Sequence, residues 1–413
     1  MINTKSKLMF AAIGAAFALP IAAQAQTNVT VYGMLYPSLN YLSLSGASGA
    51  GSTSTLSTAP AVRPNNSTLT SMESPNSRLG FRGSEDLGSG LSAIFQLEMG
   101  FSSNTGALTT ANTPFARDTF VGLASQSFGT IRLGNMDTVY KNLGDQMPFL
   151  GITSGNFMSG SNILSRATFT ADSANSFHLR RANSVYYTSP QVAGATGLFD
   201  WSPNGTADDS KQGVISTGVK YENGPIYAAL AYERHTDMFG ASTGLKANGG
   251  SDTALANSVD FTTGAHSTDQ AFRGSFQYSF PDNWKAEVDI ANLRYSESGQ
   301  TARGKFNTYS TTTWSLSVEK DIGALSLVGA YGREAAGTCT LTGSVACSTN
   351  GLQAQMLNLG VGYFLSKRTE LFAVYSKYLT GQSAYAVNVY SDAGKPSAGQ
   401  DANIVALGIL HRF

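Results

Sequence analysis

Several things are scarce in this chain, and each scarcity closes off a class of function. Beyond residue 25 there is no run of about 18 apolar residues, so no membrane-spanning helix is offered there. Charged residues make up only 13%, and 27 basic side chains are balanced by 27 acidic ones. That leaves no cationic excess of the kind a nucleic-acid partner needs. Histidine occurs four times, and no HExxH, GxSxG or phosphate-cradling Gly-rich Lys motif is found. His178, near Asp172, reads as a solvated loop residue rather than a base, and Asp208 and Asp209 read as exposed loop acids. No enzyme, cofactor or metal centre is predicted.

Only two cysteines are present, Cys339 and Cys347, eight apart in a Gly, Ser and Thr-rich stretch. They predict a disulfide that staples one loop in an oxidising compartment. The N-terminus fits that address. Lys5 and Lys7 precede an apolar run from Leu8, and Ala23-Gln24-Ala25 supplies a small-residue cleavage site. Residues 1–25 are therefore expected to be a cleaved signal peptide, with a single domain over 26–413.

What is abundant points to β-structure. Glycine occurs 44 times and aromatics reach 10%. Apolar-aromatic segments recur in pairs around very short turns: SEDLGSG, SQSFG, SPQVAG, ENG, FPDN, KDIG and LSKR. Each carries the Gly, Asn, Asp or Pro that a tight hairpin requires. Seven hairpins give fourteen strands. NVTVYGMLYPSLNY before them and ANIVALGILHRF after them make sixteen. Eight long connections separate the pairs, at 43–75, 102–116, 135–180, 203–212, 235–270, 296–311, 334–354 and 380–401. Short turns at one end and long loops at the other describe an all-β, 16-stranded antiparallel transmembrane barrel with periplasmic turns and extracellular loops.

Side-chain alternation agrees. In LSAIFQLEMGF the positions Leu91, Ala93, Phe95, Leu97, Met99 and Phe101 share one face, opposite Ser92, Gln96 and Glu98. Aromatics near the expected strand ends, Trp201, Trp284, Trp314, Tyr363 and Phe364, suggest interfacial girdles. In the last strand Val405, Leu407, Ile409, His411 and Phe413 lie on one face. A barrel has no free edge, so this strand must pair with the first and Phe413 must meet lipid at the periplasmic rim.

Taken together, VTVYG, SRLGFRGSEDLG, FVGLASQSFGTIRLGN, RRANSVYYTSP, GYFLSKRTELFAVYS and the terminal HRF resemble the Gram-negative general porins of β-proteobacteria. The resemblance spans nearly all of 26–413. It implies a homotrimer of water-filled barrels embedded in outer-membrane lipid, passing small solutes and ions by diffusion. It further implies that the third long loop, 135–180, folds inward as a constriction. Phe413 resembles the assembly signal read by the barrel-insertion machinery.

In that family, wall arginines face carboxylates on the inward loop, and the field between them sorts solutes. Arg78 matches the wall arginine of SRLGF, and Arg82 shares its face. Arg132 points inward if Ile131 and Leu133 face lipid. Arg181 matches the arginine before NSV. Asp145 is the first candidate for the loop carboxylate and Asp137 the second. Three positions depart from the family pattern. Asn135 stands where Arg is common, Tyr36 where an acid is common, and Tyr186 where a basic residue is often found. The reading is a passive pore. The alternatives are a pore tuned to aromatic or weakly charged solutes, an adhesin or receptor barrel, and a secreted soluble β-rich enzyme.

Overall fold

The computed structural model describes residues 28–46, 54, 56, 67–74, 76–144, 146, 158–169, 176–203, 213–237, 266–299, 303–385 and 396–413. All its strands belong to one antiparallel sheet that closes on itself. Three strands are broken once, so the sheet has sixteen members. Strand β1 comprises Asn28–Leu35 and Ser38–Ser45, and β2 comprises Ser67–Glu73 and Arg78–Gly88. Then follow β3 (Leu91–Gly100), β4 (Thr119–Ser125), β5 (Gly129–Asp137), β6 (Arg180–Thr188), β7 (Ala195–Pro203) and β8 (Gly213–Asn223). The second half has β9 (Ile226–Thr236), β10 (His266–Phe280), β11 (Trp284–Ser298), β12 (Phe306–Ile322), β13 (Leu325–Glu334 and Thr338–Leu341), β14 (Ala354–Phe364), β15 (Thr369–Thr380) and β16 (Asp401–Arg412).

The seven expected hairpins all form, and several turns are shorter than the sequence suggests. The first turn is only Ser89-Gly90, because Glu85 and Asp86 already pair with Ala93 and Ser92. A polar side chain at the rim still has a backbone that must be paired. On the extracellular side β12 starts at Phe306, inside the expected 296–311 connection. The Ser and Thr of FNTYSTTT carry no apolar alternation, yet they pair with β11 and β13. Trp314 consequently sits mid-strand and outward, away from any girdle at the strand end.

The last strand closes the sheet. It pairs Gly408 with Ser38 through Asp401 with Ser45, and Met34 with Arg412. Gly33 and Phe413 exchange both backbone hydrogen bonds, at 3.1 and 3.2 Å. The Phe413 ring lies over Gly33, where any added Cβ would strike it. Val405, Leu407 and Ile409 face outward, while Ile404, Ala406 and Leu410 are buried inside. The ladder supplies backbone partners that lipid cannot, and the last strand presents apolar side chains outward from Val405 to Ile409. Cys339 and Cys347 are bonded across the loop that follows β13, with Cα atoms 5.7 Å apart.

Between β5 and β6 the chain turns into the barrel. A one-turn helix, α1 (Val139–Leu143), is capped by Thr138, whose Oγ1 accepts from the Lys141 N–H. A second, α2 (Ser161–Leu164), follows. Val139, Tyr140, Leu143, Leu164, Phe169 and Phe177 are all buried against the inner wall. Their rings pack edge-on or tilted, with Phe169 5.4 Å from Tyr295 and 5.1 Å from Tyr309.

Candidate functional site

The inward loop divides the lumen into a covered wall and an open one. On the covered side the loop is fastened to strand after strand. The Tyr140 N–H donates to Ser216 Oγ on β8 at 2.9 Å, and Tyr227 Oη on β9 donates to the Leu143 carbonyl at 3.0 Å. The Gln146 N–H donates to Glu287 on β11 at 3.1 Å, and Asn358 on β14 donates to the Met158 carbonyl at 2.8 Å. Asn162 donates to Tyr378 Oη on β15 at 2.9 Å. The Gly144 backbone sits so close to the Arg273 guanidinium that any side chain there would collide with it. Arg273 in turn donates to Asp289 Oδ1, with Nη2 at 3.0 Å, and Ser275 and Ser315 donate to the same carboxylate.

This covered wall is acidic. Glu233, Asp269, Glu287, Asp289, Glu297 and Glu334 all lie buried on β9, β10, β11 and β13. Buried carboxylates persist only where hydrogen bonds or cations offset their desolvation. Glu334 accepts from the Thr168 N–H at 3.3 Å, and Glu233 from His235 at 2.8 Å.

The open wall, β2 to β6, carries the guanidiniums. Exposure of Ile131 and Leu133 on the outer face turns Arg132 inward. Its guanidinium lies 4.3 Å from the Tyr186 ring and 5.3 Å from Phe120. Arg82 lies 5.0 Å from the Tyr32 ring, and Arg78 sits one inward position from Gly80, beside Met34. None of Arg78, Arg82 and Arg132 forms an ion pair among the described residues. Arg181 enters β6 beside Met136, where the β5–β6 register shifts and Asn183 takes φ 58°.

Other cations nearby are neutralised. Glu98 accepts from Tyr32 Oη at 2.8 Å and pairs with Arg117. Arg180 bridges Asp118 at 2.7 Å and Asp137 at 2.8 Å, and Lys141 also reaches Asp137 at 2.8 Å. Asn135 donates to the carbonyls of Ala116 and Arg117, both at 3.0 Å, and so fixes the segment carrying that cluster. Burial and the neighbouring Asp137 push the Asp118 carboxyl up, against the opposing pull of Arg180. Burial pushes the Lys141 ammonium down, and Asp137 opposes it.

Two expected participants are placed differently from a simple reading. Tyr36 is buried, stacked on Phe372 at 4.8 Å, with its N–H on Ser77 Oγ at 2.8 Å. Tyr186 is buried beneath Arg132 and accepts from Asn142 at 3.2 Å. Neither offers an open ring face to the lumen. Asp145 lies outside the described residues, as do Asp172, Asp208, Asp209 and residues 1–25.

A family model described as Gram-negative porin matches residues 11–383. The chain belongs to the Gram-negative porin family. It is similar to an outer membrane porin protein of Bordetella pertussis, 29% identical over 443 residues that span 99% of this chain and 100% of the relative. Among solved structures it resembles the anion-selective porin from Comamonas acidovorans, with TM-score 0.68 and 19% identity, covering 94% of this chain and 100% of that one. It also resembles the trimer form of OmpT, an outer membrane protein of Vibrio cholerae, with TM-score 0.59 and 14% identity, covering 94% and 99%. The porin is an integral outer-membrane barrel and a diffusion channel for small hydrophilic solutes.

Sequence reasoning missed much of the charge network of this porin. Arg117, Asp118 and Arg180 were legible only as ordinary loop or strand-end charges, although the adjacent Arg117-Asp118 pair at the foot of a long loop was a usable signal. His178 is half-buried beside the docked loop, not fully solvated. Burial, with Lys141, Arg166, Arg273 and Arg180 around it, holds its imidazole well below the ordinary value of 6.5.

Proposed function

We propose that the porin is a passive, non-enzymatic channel whose open lumen favours small anions. The observation that carries this is the asymmetry of the two walls. Arg78, Arg82 and Arg132 stay accessible and unmatched on β2 and β5, while the carboxylates of β9 to β13 are buried under the loop. A charge left in water at the narrow point acts on a passing ion, whereas a buried, hydrogen-bonded one is spent on its neighbours. The similarity to the anion-selective porin from Comamonas acidovorans supports the same direction. The buried positions of Tyr36 and Tyr186 give no support to a filter that grips aromatic solutes.

On this reading residues 1–25 are removed on export, and the loop at 135–180 sets the pore radius. Three copies assemble, in keeping with the trimeric structural neighbour. Phe413, with an outward ring and its backbone built into the seam, serves as the signal for the insertion machinery.

The test is a planar bilayer under a KCl gradient, recording conductance steps and reversal potential together. Steps closing in threes with a chloride-directed reversal are expected. A reversal at zero or toward potassium overturns the anion preference. A folded barrel with no conductance overturns the channel itself.

A further inference from the structure

The lipid-facing side of β9, β10 and β11 carries a feature the pore does not use. Outward side chains along β10 are Phe272, Gly274 and Phe276, so a glycine interrupts an aromatic row. Leu230 on β9 and Ile290 on β11 flank the same glycine in register. A shallow hollow of about 660 Å³ lies over Gly274, and a second of about 420 Å³, sharing Val219, Leu230, Gly274 and Ile290 with it, lies toward the periplasmic end. A groove of this kind in the apolar belt is filled by acyl chain, since water gains nothing there.

At its extracellular end the groove is crowned by charge. Arg234, Gln270 and Arg294 stand side by side across β9, β10 and β11. Both arginines are exposed on the outer face. Acids close by on the same three strands, Glu233, Asp269 and Glu297, are buried on the inner face. Arg294 Nε donates weakly to Ser296 Oγ at 3.4 Å, and no carboxylate reaches either guanidinium among the described residues. Their height suits a headgroup. Arg294 lies ten positions beyond Trp284, whose exposed ring marks the periplasmic rim. At about 3.3 Å per residue and a tilt of about 40°, ten residues rise about 25 Å, the height of the apolar band of such barrels. Asn292 and the outward Tyr232, whose ring lies 4.5 Å from Phe272, mark the change from apolar to polar just below.

The geometry points to a binding site for a phosphate-bearing, multiply acylated lipid of the outer leaflet. One acyl chain lies in the groove over Gly274 and a phosphate bridges Arg234 and Arg294. Arginine forks suit phosphate oxygens, and the site is closed to a soluble anion because its lower half is apolar.

Native mass spectrometry of the purified, detergent-solubilised protein tests this, with bisphosphorylated lipid A and phosphatidylethanolamine offered in equal amounts. Wild type is expected to retain lipid A selectively. R234Q/R294Q is expected to lose that retention by about tenfold or more, as two charge-assisted contacts imply. Gly274→Leu is expected to lose it too, with both arginines intact. A Cβ at Gly274 meets Leu230 and Ile290 only at ordinary contact distances of 3.5 and 3.8 Å, so this variant keeps the fold. R333Q, altering an exposed arginine on β13 outside the groove, is expected to change nothing. Equal retention of phosphatidylethanolamine, an unchanged Gly274→Leu, or an equal loss in R333Q overturns the site. Loss of oligomer mass in place of lipid assigns the groove to a second copy of the chain and overturns it equally.

Discussion

The open wall at β2 to β6 and the covered wall at β9 to β13 are built from the same ladder, with the same alternation, yet their charges do opposite things. On the open wall, Arg78, Arg82 and Arg132 are backed by Met34, Tyr32 and Tyr186 and keep their charge toward solvent. On the covered wall, Glu287 and Asp289 hold the loop through the Gln146 amide and through Arg273. The difference lies in what is docked on them, not in strand chemistry. A lumen lined by both signs becomes a lumen that shows one.

Lifting the loop should therefore erase the distinction, and this is the largest effect expected. Gly144→Val drives α1 against the Arg273 guanidinium. Overpacking of this kind costs about 1–3 kcal/mol, enough to detach a peripheral loop. Single-channel conductance should rise and the chloride preference should fall toward none. An unchanged reversal potential would show that the buried acids are not what the loop hides.

Stripping the open wall comes next. With Arg78, Arg82 and Arg132 all changed to alanine, the chloride-to-potassium permeability ratio should drop about fivefold, as expected for ~1 kcal/mol of lost attraction in a wet pore. Reversal potentials of the three single variants apportion the loss. Sharpening the contrast is a smaller change. Glu98→Gln removes the acid that matches Arg117, so the same ratio should rise by about twofold, with Tyr32 losing a charged acceptor. No rise would mean that Asp118 and Asp137 take Arg117 over.

The smallest effect is on pH. His178 is held neutral in the docked loop, below the 6.5 it has when exposed. A depressed value means the undocked state binds the proton more readily, so docking is strongest above about pH 6.5 and weakens as pH falls below it. The protection of residues 158–169 against hydrogen–deuterium exchange, taken relative to the intrinsic rate at each pH, should fall between about pH 6.5 and 5. His178→Gln should flatten that dependence.

The hairpins were legible because each turn carries its own chemistry, as in Gly323 or the Pro281–Asn283 turn. Inward arginines were legible wherever flanking residues such as Ile131 and Leu133 declared the lipid side. The state of Asp289 was not legible. Alternation places it inward, but its burial depends on Arg273 and on Gly144, well over a hundred residues away. Tyr36 misled for a related reason. Its position next to Pro37 puts it at the break in β1, where stacking on Phe372 replaces a view of the pore. Extracellular strand ends were blurred because Thr308 to Thr313 pair without any apolar pattern.

The seam between Gly33 and Phe413 gives the sheet a built-in length check. The two residues that exchange hydrogen bonds there lie almost the whole chain apart, so the ring cannot shut until its last strand arrives. A chain stopping short of Asp401 would expose two bare ladders, on β15 and on β1, ready to pair with any other strand. Closure thus depends on the Asp401–Arg412 strand, and without it both neighbours keep unpaired edges open to strands of another chain.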